Sequence, residues 1–165
     1  MSVQREMKAG RCMLSRMGKD DVGVLKEIFA NGETRRYLPE LYTLIVADDG
    51  IAGFIYAFES LAEKDEGCLW GIRCDDCLVG FVAIMDLSFE PSLFYAMHPD
   101  SRQRGYMKEA IAAVVGYLRR ERLWRSVSTE VYKENVISVN ILQQMGFVAC
   151  REDGDKVYLS KMLAL

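Results

Sequence analysis

An excess of basic charge is missing from this chain. Its 165 residues hold 21 Lys+Arg against 24 Asp+Glu, a net charge of −3. That balance argues against a dedicated nucleic-acid binder, which carries a positive footprint for the phosphates. Long apolar runs are also missing. The longest, Cys77 to Met85, falls far short of the roughly 20 residues that cross a bilayer. The opening Met-Ser-Val-Gln-Arg-Glu has no apolar signal-peptide core. The expectation is a cytoplasmic protein with neither nucleic acid nor membrane among its partners. Proline is scarce: Pro39, Pro91 and Pro99 are the three, each at an apparent element boundary. There is no internal repeat, low-complexity stretch or Pro/Ser-rich linker. With 50% hydrophobic and 27% charged residues the sequence has a globular composition, and 1–165 reads as a single domain.

Histidine and paired cysteines are sparse as well. His98 is the one histidine, and the cysteines number five, an odd count: Cys12, Cys68, Cys74, Cys77 and Cys150. Scattered in this way they read as free thiols. Cys74 and Cys77 form a C-x-x-C, but a zinc site presents two such knuckles. No metal site is expected.

Periodicity places the elements. Arg11 to Arg16 reads as a first strand. A helix from Lys19-Asp20-Asp21 puts Val24, Leu25, Ile28 and Phe29 on one face. A shorter one runs from Glu33 to Tyr37 and stops at Leu38, because a residue before proline avoids the helical region. A third begins around Asp48-Asp49. Cys68 to Arg73 and Cys77 to Leu87 read as strands about an Asp75-Asp76 turn. Leu78 to Met85 has no polar member, which predicts a central strand covered on both faces. Ser92 to Met97 and Ser126 to Tyr132 are further strands. Between them, Gly105 to Leu118 is a helix with Met107, Ala110, Ile111, Val114, Val115 and Leu118 at helical spacing. Val136 to Met145 is a helix closed by Gly146. Phe147 to Cys150 and Lys156 to Leu163 form a hairpin about Asp153-Gly154-Asp155. This alternation predicts an α/β fold, a mixed sheet with helices on both faces.

The stretch that carries chemistry is Met97-His98-Pro99-Asp100-Ser101-Arg102-Gln103-Arg104-Gly105-Tyr106-Met107. A strand ends, a polar turn follows, and a helix starts at a glycine. The first amides of a helix lack internal partners and lie at its positive pole, so such a turn suits a diphosphate. Gly105 permits close approach, and Arg102 and Arg104 add positive charge. The segment is no P-loop, since no Gly-Lys-Ser/Thr follows, and one glycine makes no dinucleotide fingerprint. An ordinary surface turn with two solvated arginines is the alternative.

Arg102-Gln103-Arg104-Gly105-Tyr106-Met107 resembles the Gln/Arg-x-x-Gly-x-Gly/Ala signature of the GNAT family of acyl-CoA-dependent N-acyltransferases, with Met107 at the second small position. Lys108-Glu109-Ala110 continues the pattern of the branch similar to the ribosomal-protein N-terminal acetyltransferases. Asn135-Val136-Ile137-Ser138, a helix, and Gly146-Phe147 match that branch downstream, and Leu78-Val79-Gly80-Phe81 matches its central strand upstream. The resemblance runs from about Gly10 to Met162 and is specific between Leu78 and Phe147.

The resemblance implies a mostly antiparallel sheet in which two parallel strands splay into a V that receives the pantetheine arm of acetyl-CoA. The main chain of Tyr95, Ala96 and Met97 would pair with the arm. Amides from Arg102, Gln103, Arg104, Gly105, Tyr106 and Met107 would hold the pyrophosphate, and Asn135 would meet the arm from the far side or cap the helix. The reaction implied is direct attack of an amine, on a small molecule or a protein N-terminus, on the thioester. Many members protonate the leaving thiolate with a tyrosine four residues before the helix-closing glycine. Leu142 stands there in this chain, and Ser138 is the remaining candidate, with Tyr132 a weaker one. Asp86, Glu90 and Glu130 are the acids nearest the implied cleft, and none is singled out as a base. His98 reads as structural. Arg35, Arg36 and Tyr37 would either meet a carboxylate-bearing acceptor or form a solvated helix face. A module that keeps the cofactor groove but has lost transfer is the second reading. A homodimer through the last strands is a further expectation.

Overall fold

The computed structural model describes residues 2–46 and 49–163. Eight strands form one sheet: β1 (Met7–Ala9), β2 (Cys12–Ser15), β3 (Cys68–Cys74), β4 (Cys77–Met85), β5 (Ser92–Met97), β6 (Ser126–Tyr132), β7 (Val148–Asp153) and β8 (Lys156–Met162). Their spatial order is β1-β2-β3-β4-β5-β6-β8-β7. Neighbours are antiparallel except β5 and β6, which run parallel. The helices are α1 (Val22–Ala30), α2 (Gly32–Tyr37), α3 (Pro39–Val46), α4 (Gly50–Glu63), α5 (Tyr106–Glu121) and α6 (Val136–Gln144). The mixed α/β architecture expected from the sequence is present.

The reason β4 is uniformly apolar is its place. Alternate residues of a strand face opposite ways. Phe81 and Ala83 join the core that includes Leu25 and Phe29 of α1 and Phe58 of α4. Val82 and Ile84 join the core that includes Ile111 and Leu118 of α5. All four strand residues are fully buried. Asp75 and Asp76, at φ 51 and 64, make the two-residue turn whose twist suits a tight hairpin between β3 and β4.

Two elements escaped the sequence reading. β1 spans three residues, too few to show a period. Pro39 opens α3 rather than merely ending α2, since proline fits the first helical position. Asp48, in the expected start of the third helix, lies outside the described residues; Asp49 caps α4 at φ 55.

The expectation of free thiols throughout is wrong for two cysteines. Cys12 and Cys74 form a disulfide with their Cα atoms 4.6 Å apart, and Cys68, Cys77 and Cys150 are free. Met13 lies opposite Arg73 across β2 and β3, so the next residues outward, Cys12 and Cys74, face each other. The C-x-x-C therefore does not close on itself.

Candidate active site

A gap in the sheet organises the site. β5 and β6 share one register pair, Ser92 with Ser128. The Ser128 amide donates to the Pro91 carbonyl at 2.9 Å, and Thr129 Oγ1 donates to the Leu93 carbonyl at 2.8 Å. Among the described residues, no further pair joins the two strands. On its other edge β5 is paired with β4 along its whole length. The His98 amide donates to the Val79 carbonyl at 2.7 Å, and bonding alternates along an antiparallel strand. Tyr95 and Met97 therefore turn their amides and carbonyls into the gap. Ala96 does not: its main chain faces Phe81, and its methyl packs in the core on the α1–α4 side. Of these three predicted residues, two present free main chain.

At the end of β5 a polar turn leads into α5. His98 Nδ1 accepts the Asp100 amide at 3.2 Å, and its Nε2–H donates to Glu27 Oε2 at 2.8 Å. Both ring nitrogens are thus occupied in holding the turn. Gln103 and Gly105 stand at φ 62 and 81, and the Glu109 amide donates to the Gly105 carbonyl at 3.2 Å, starting the helix. Among the described residues, the amides of Gln103 through Lys108 donate to no protein acceptor. Of these, the amides of Gly105 to Lys108 are the orphan donors at the positive pole of a 16-residue helix.

The predicted side chains of this turn divide. Gln103 and Arg104 are exposed. Met107, 8% exposed, turns into the core and leaves the cradle to main chain. Tyr106 lies under the Arg11 guanidinium, 4.6 Å from its carbon to the ring centre. Arg102 does not add charge to the cradle. Its guanidinium donates to Glu33 Oε2 at 2.6 Å, Asn31 Oδ1 at 2.9 Å and Thr34 Oγ1 at 3.3 Å, and its amide reaches the Pro99 carbonyl at 3.5 Å. Arg102 is a brace from the turn to the α1–α2 junction. Arg11, which the sequence reading overlooked, is a second brace. It donates to the Arg104 carbonyl and, at 2.9 Å, to Glu109 Oε1. No local signal marks it, since its partners lie more than 90 positions away.

On the far side of the gap, Asn135 caps α6, its Oδ1 accepting the Ser138 amide at 3.3 Å. Its side-chain NH₂ remains available. Ser138, 6% exposed, lies in the first turn of α6 with its hydroxyl hydrogen-bonded to that of Tyr95. Burial pushes the Tyr95 phenol up to about 12. Leu142 is fully buried. Arg36 pairs with Glu134 at 2.5 Å, the Tyr37 hydroxyl donates to the Glu134 carbonyl at 3.4 Å, and Arg35 stacks on Tyr42. These three residues are engaged within the chain, and the Glu134 contacts tie α2 to the β6–α6 turn.

The closed end of the gap opens onto a groove of about 440 Å³ lined by Asp86, Glu90, Ser92, Phe94, Glu130 and Tyr158, among others. The Ser126 hydroxyl donates to Glu90, as does the Tyr158 hydroxyl at 2.6 Å. Those bonds, Ser126's first, hold the Glu90 carboxyl below its ordinary range. Asp86 accepts from the Ser92 hydroxyl at 3.1 Å, and Glu130 pairs with Lys156 at 3.5 Å.

Comparison with known proteins adds a family. Residues 11–148 match the family model described as an acetyltransferase (GNAT) domain. The uncharacterized N-acetyltransferase YoaA of Bacillus subtilis (strain 168) is 25% identical over 146 residues, 86% of this chain and 81% of that protein. The solved structure of RimL, a ribosomal L7/L12 alpha-N-protein acetyltransferase in complex with coenzyme A, superposes with a TM-score of 0.82 at 12% identity, covering 96% of this chain and 98% of that one. Spermidine N-acetyltransferase from Vibrio cholerae, in complex with CoA and spermine, gives 0.74 at 12%, covering 93% and 96%. At these identities the structural likeness is one of fold.

Proposed function

The chain belongs to the GNAT family of acetyltransferases, and from that premise we propose that it moves the acetyl group of acetyl-CoA to a primary amine, a protein N-terminus or a small molecule, by direct attack on the thioester. The observation that carries this reading is the free main chain of Tyr95 and Met97 in the gap, beside the unpaired amides of Gln103 to Lys108. A pantetheine arm is a chain of amides and pairs with a strand edge. A diphosphate accepts the donors of a helix start. Asn135 offers its NH₂ to the arm from the opposite bank.

The attacking amine must be neutral. At pH 7 a free α-amine is neutral roughly one time in ten and a lysine amine about one time in a few thousand, a difference of about 3 kcal/mol. A low-pKa amine needs little help from a base, whereas a lysine amine needs more. The carboxylates of Asp86, Glu90 and Glu130 in the groove favour the approach of a cationic acceptor. Two fold neighbours are named for amine acceptors, the L7/L12 α-amine and spermidine. A backbone amide near Met97 polarises the thioester carbonyl. Ser138 donates a hydrogen bond to the departing thiolate, whose ordinary pKa of about 8.5 makes it a fair leaving group.

The test is twofold. Acetyl-CoA should raise the melting temperature, since a ligand of the native state stabilises it, and an amine panel should release free thiol. No shift at millimolar acetyl-CoA would remove the cofactor assignment. A shift without turnover on any acceptor would favour a silent binding module.

A further inference from the structure

We infer that Tyr95 is a positioning residue for the transfer: its phenol hydroxyl reaches across the gap and holds Ser138 so that the serine's own hydrogen is left for the departing sulfur. The inference rests on the proposed acyl transfer and on Ser138 as the group that meets the thiolate.

Tyr95 and Ser138 belong to opposite banks, β5 and the first turn of α6, 43 positions apart. Among the described residues, no other side-chain hydrogen bond links β5 beyond Leu93 to the β6–α6 arm. A serine within a helix commonly turns its hydroxyl back to the carbonyl four residues earlier. Here that carbonyl, of Glu134, accepts from Tyr37 at 3.4 Å, and Ser138 Oγ is instead engaged by Tyr95. Either hydroxyl can donate in this pair, and the phenol, the stronger acid of the two, is the better donor. A donor acting on Oγ polarises the serine O–H, and among the described residues that hydrogen then meets no acceptor. The main chain of Tyr95 faces the gap as described, so one residue serves the arm with its backbone and the leaving group through its side chain.

The step balances without a further reagent. The amine lone pair forms the C–N bond, and the C–S bond breaks with its electron pair passing to sulfur. The surplus proton on nitrogen is lost to water. Ser138 donates a hydrogen bond to the thiolate, and both hydroxyls keep their protons.

The experiment compares wild type, Tyr95→Phe, Ser138→Ala and the double variant by thiol release and by melting with and without acetyl-CoA. Phenylalanine keeps the ring and the main chain. Tyr95→Phe is expected to lower kcat about tenfold, the scale of one hydrogen bond, with KM for acetyl-CoA and the acetyl-CoA melting shift as in wild type. The double variant should be no slower than Ser138→Ala. A purely structural tie would instead raise KM and lower the melting temperature while sparing kcat. That result, full kcat in Tyr95→Phe, or losses that multiply in the double variant would overturn the inference while acyl transfer stands. A wild type that binds acetyl-CoA but transfers to no amine, or does neither, would overturn both together.

Discussion

Gly105 offers the sharpest test of the cofactor cradle. Its φ of 81 is a left-handed conformation that costs an L-residue about 1–2 kcal/mol. A Cβ built there lies 3.3 Å from Arg11 Nη2, the nitrogen that donates to the Arg104 carbonyl. Gly105→Ala therefore strains the entry to α5 and displaces the Arg11 brace by a few tenths of an ångström. For a domain of this size about 1 kcal/mol corresponds to roughly 2–4 °C, so a drop of about 2–8 °C is expected. Acetyl-CoA at a hundred times its Kd adds about 2.7 kcal/mol to the native state, a rise of about 5–10 °C. Gly105→Val, β-branched, cannot hold that φ without moving the neighbouring amides, and the ligand-induced rise should vanish. Gly154→Ala is the control. Its φ is 62, and an added Cβ meets nothing within 4 Å. It should lose comparable stability and keep the full acetyl-CoA rise. Thermal melts with and without acetyl-CoA read both quantities. A Gly105→Val protein with the wild-type rise, or a Gly154→Ala protein without it, would refute the argument that this turn grips the cofactor.

Arg11→Ala should raise KM for acetyl-CoA roughly threefold to tenfold, about one hydrogen bond's worth, with kcat little changed in steady-state assays. Cys12→Ser opens a cross-link between residues 62 positions apart and should lower stability by about 4 kcal/mol in the chain-entropy account. Urea unfolding measures this, and dithiothreitol on the wild type should reproduce it. Glu90 has a depressed native pKa, so its contribution is present above the ordinary glutamate range and disappears as pH falls through the lower native value. Glu90→Gln should be less stable than wild type at neutral pH, and the two proteins should converge as pH falls from the ordinary glutamate range through the lower native value; a gap that persists in strong acid would rule out the carboxylate as its source.

Local periodicity made much of this fold legible. Met107, Ala110, Ile111, Val114, Val115 and Leu118, spaced for one helix face, are all buried in α5. Ser92–Met97 and Ser126–Tyr132 are strands with the expected limits, and the two-sided burial of β4 follows from its lack of polar residues. The orphan amides at Gly105 were legible for the same reason, because a helix start is a local event. What escaped depends on pairs that only the folded sheet brings together: Cys12 with Cys74, Arg11 with Arg104, Arg102 with Asn31, Tyr95 with Ser138. Sequence gives Arg102 a charge but not a direction, and its direction removed it from the cradle. Ala96 was misread because strand alternation fixes side-chain faces readily, while which main-chain edge lies free depends on the neighbouring strands.

The parting of β5 from β6 also divides the sheet into a five-strand block and a three-strand block joined by one rung. Cooperative units often coincide with contiguous motifs, so the block from β6 onward, though its Val127 and Leu159 share the apolar core of α5, should open more readily than the central strands. Its protected amides should exchange together, at lower free energy than those of β3 and β4. A ligand lodged between the blocks and bonded to each would stitch the seam, raising protection in both and fusing two opening events into one.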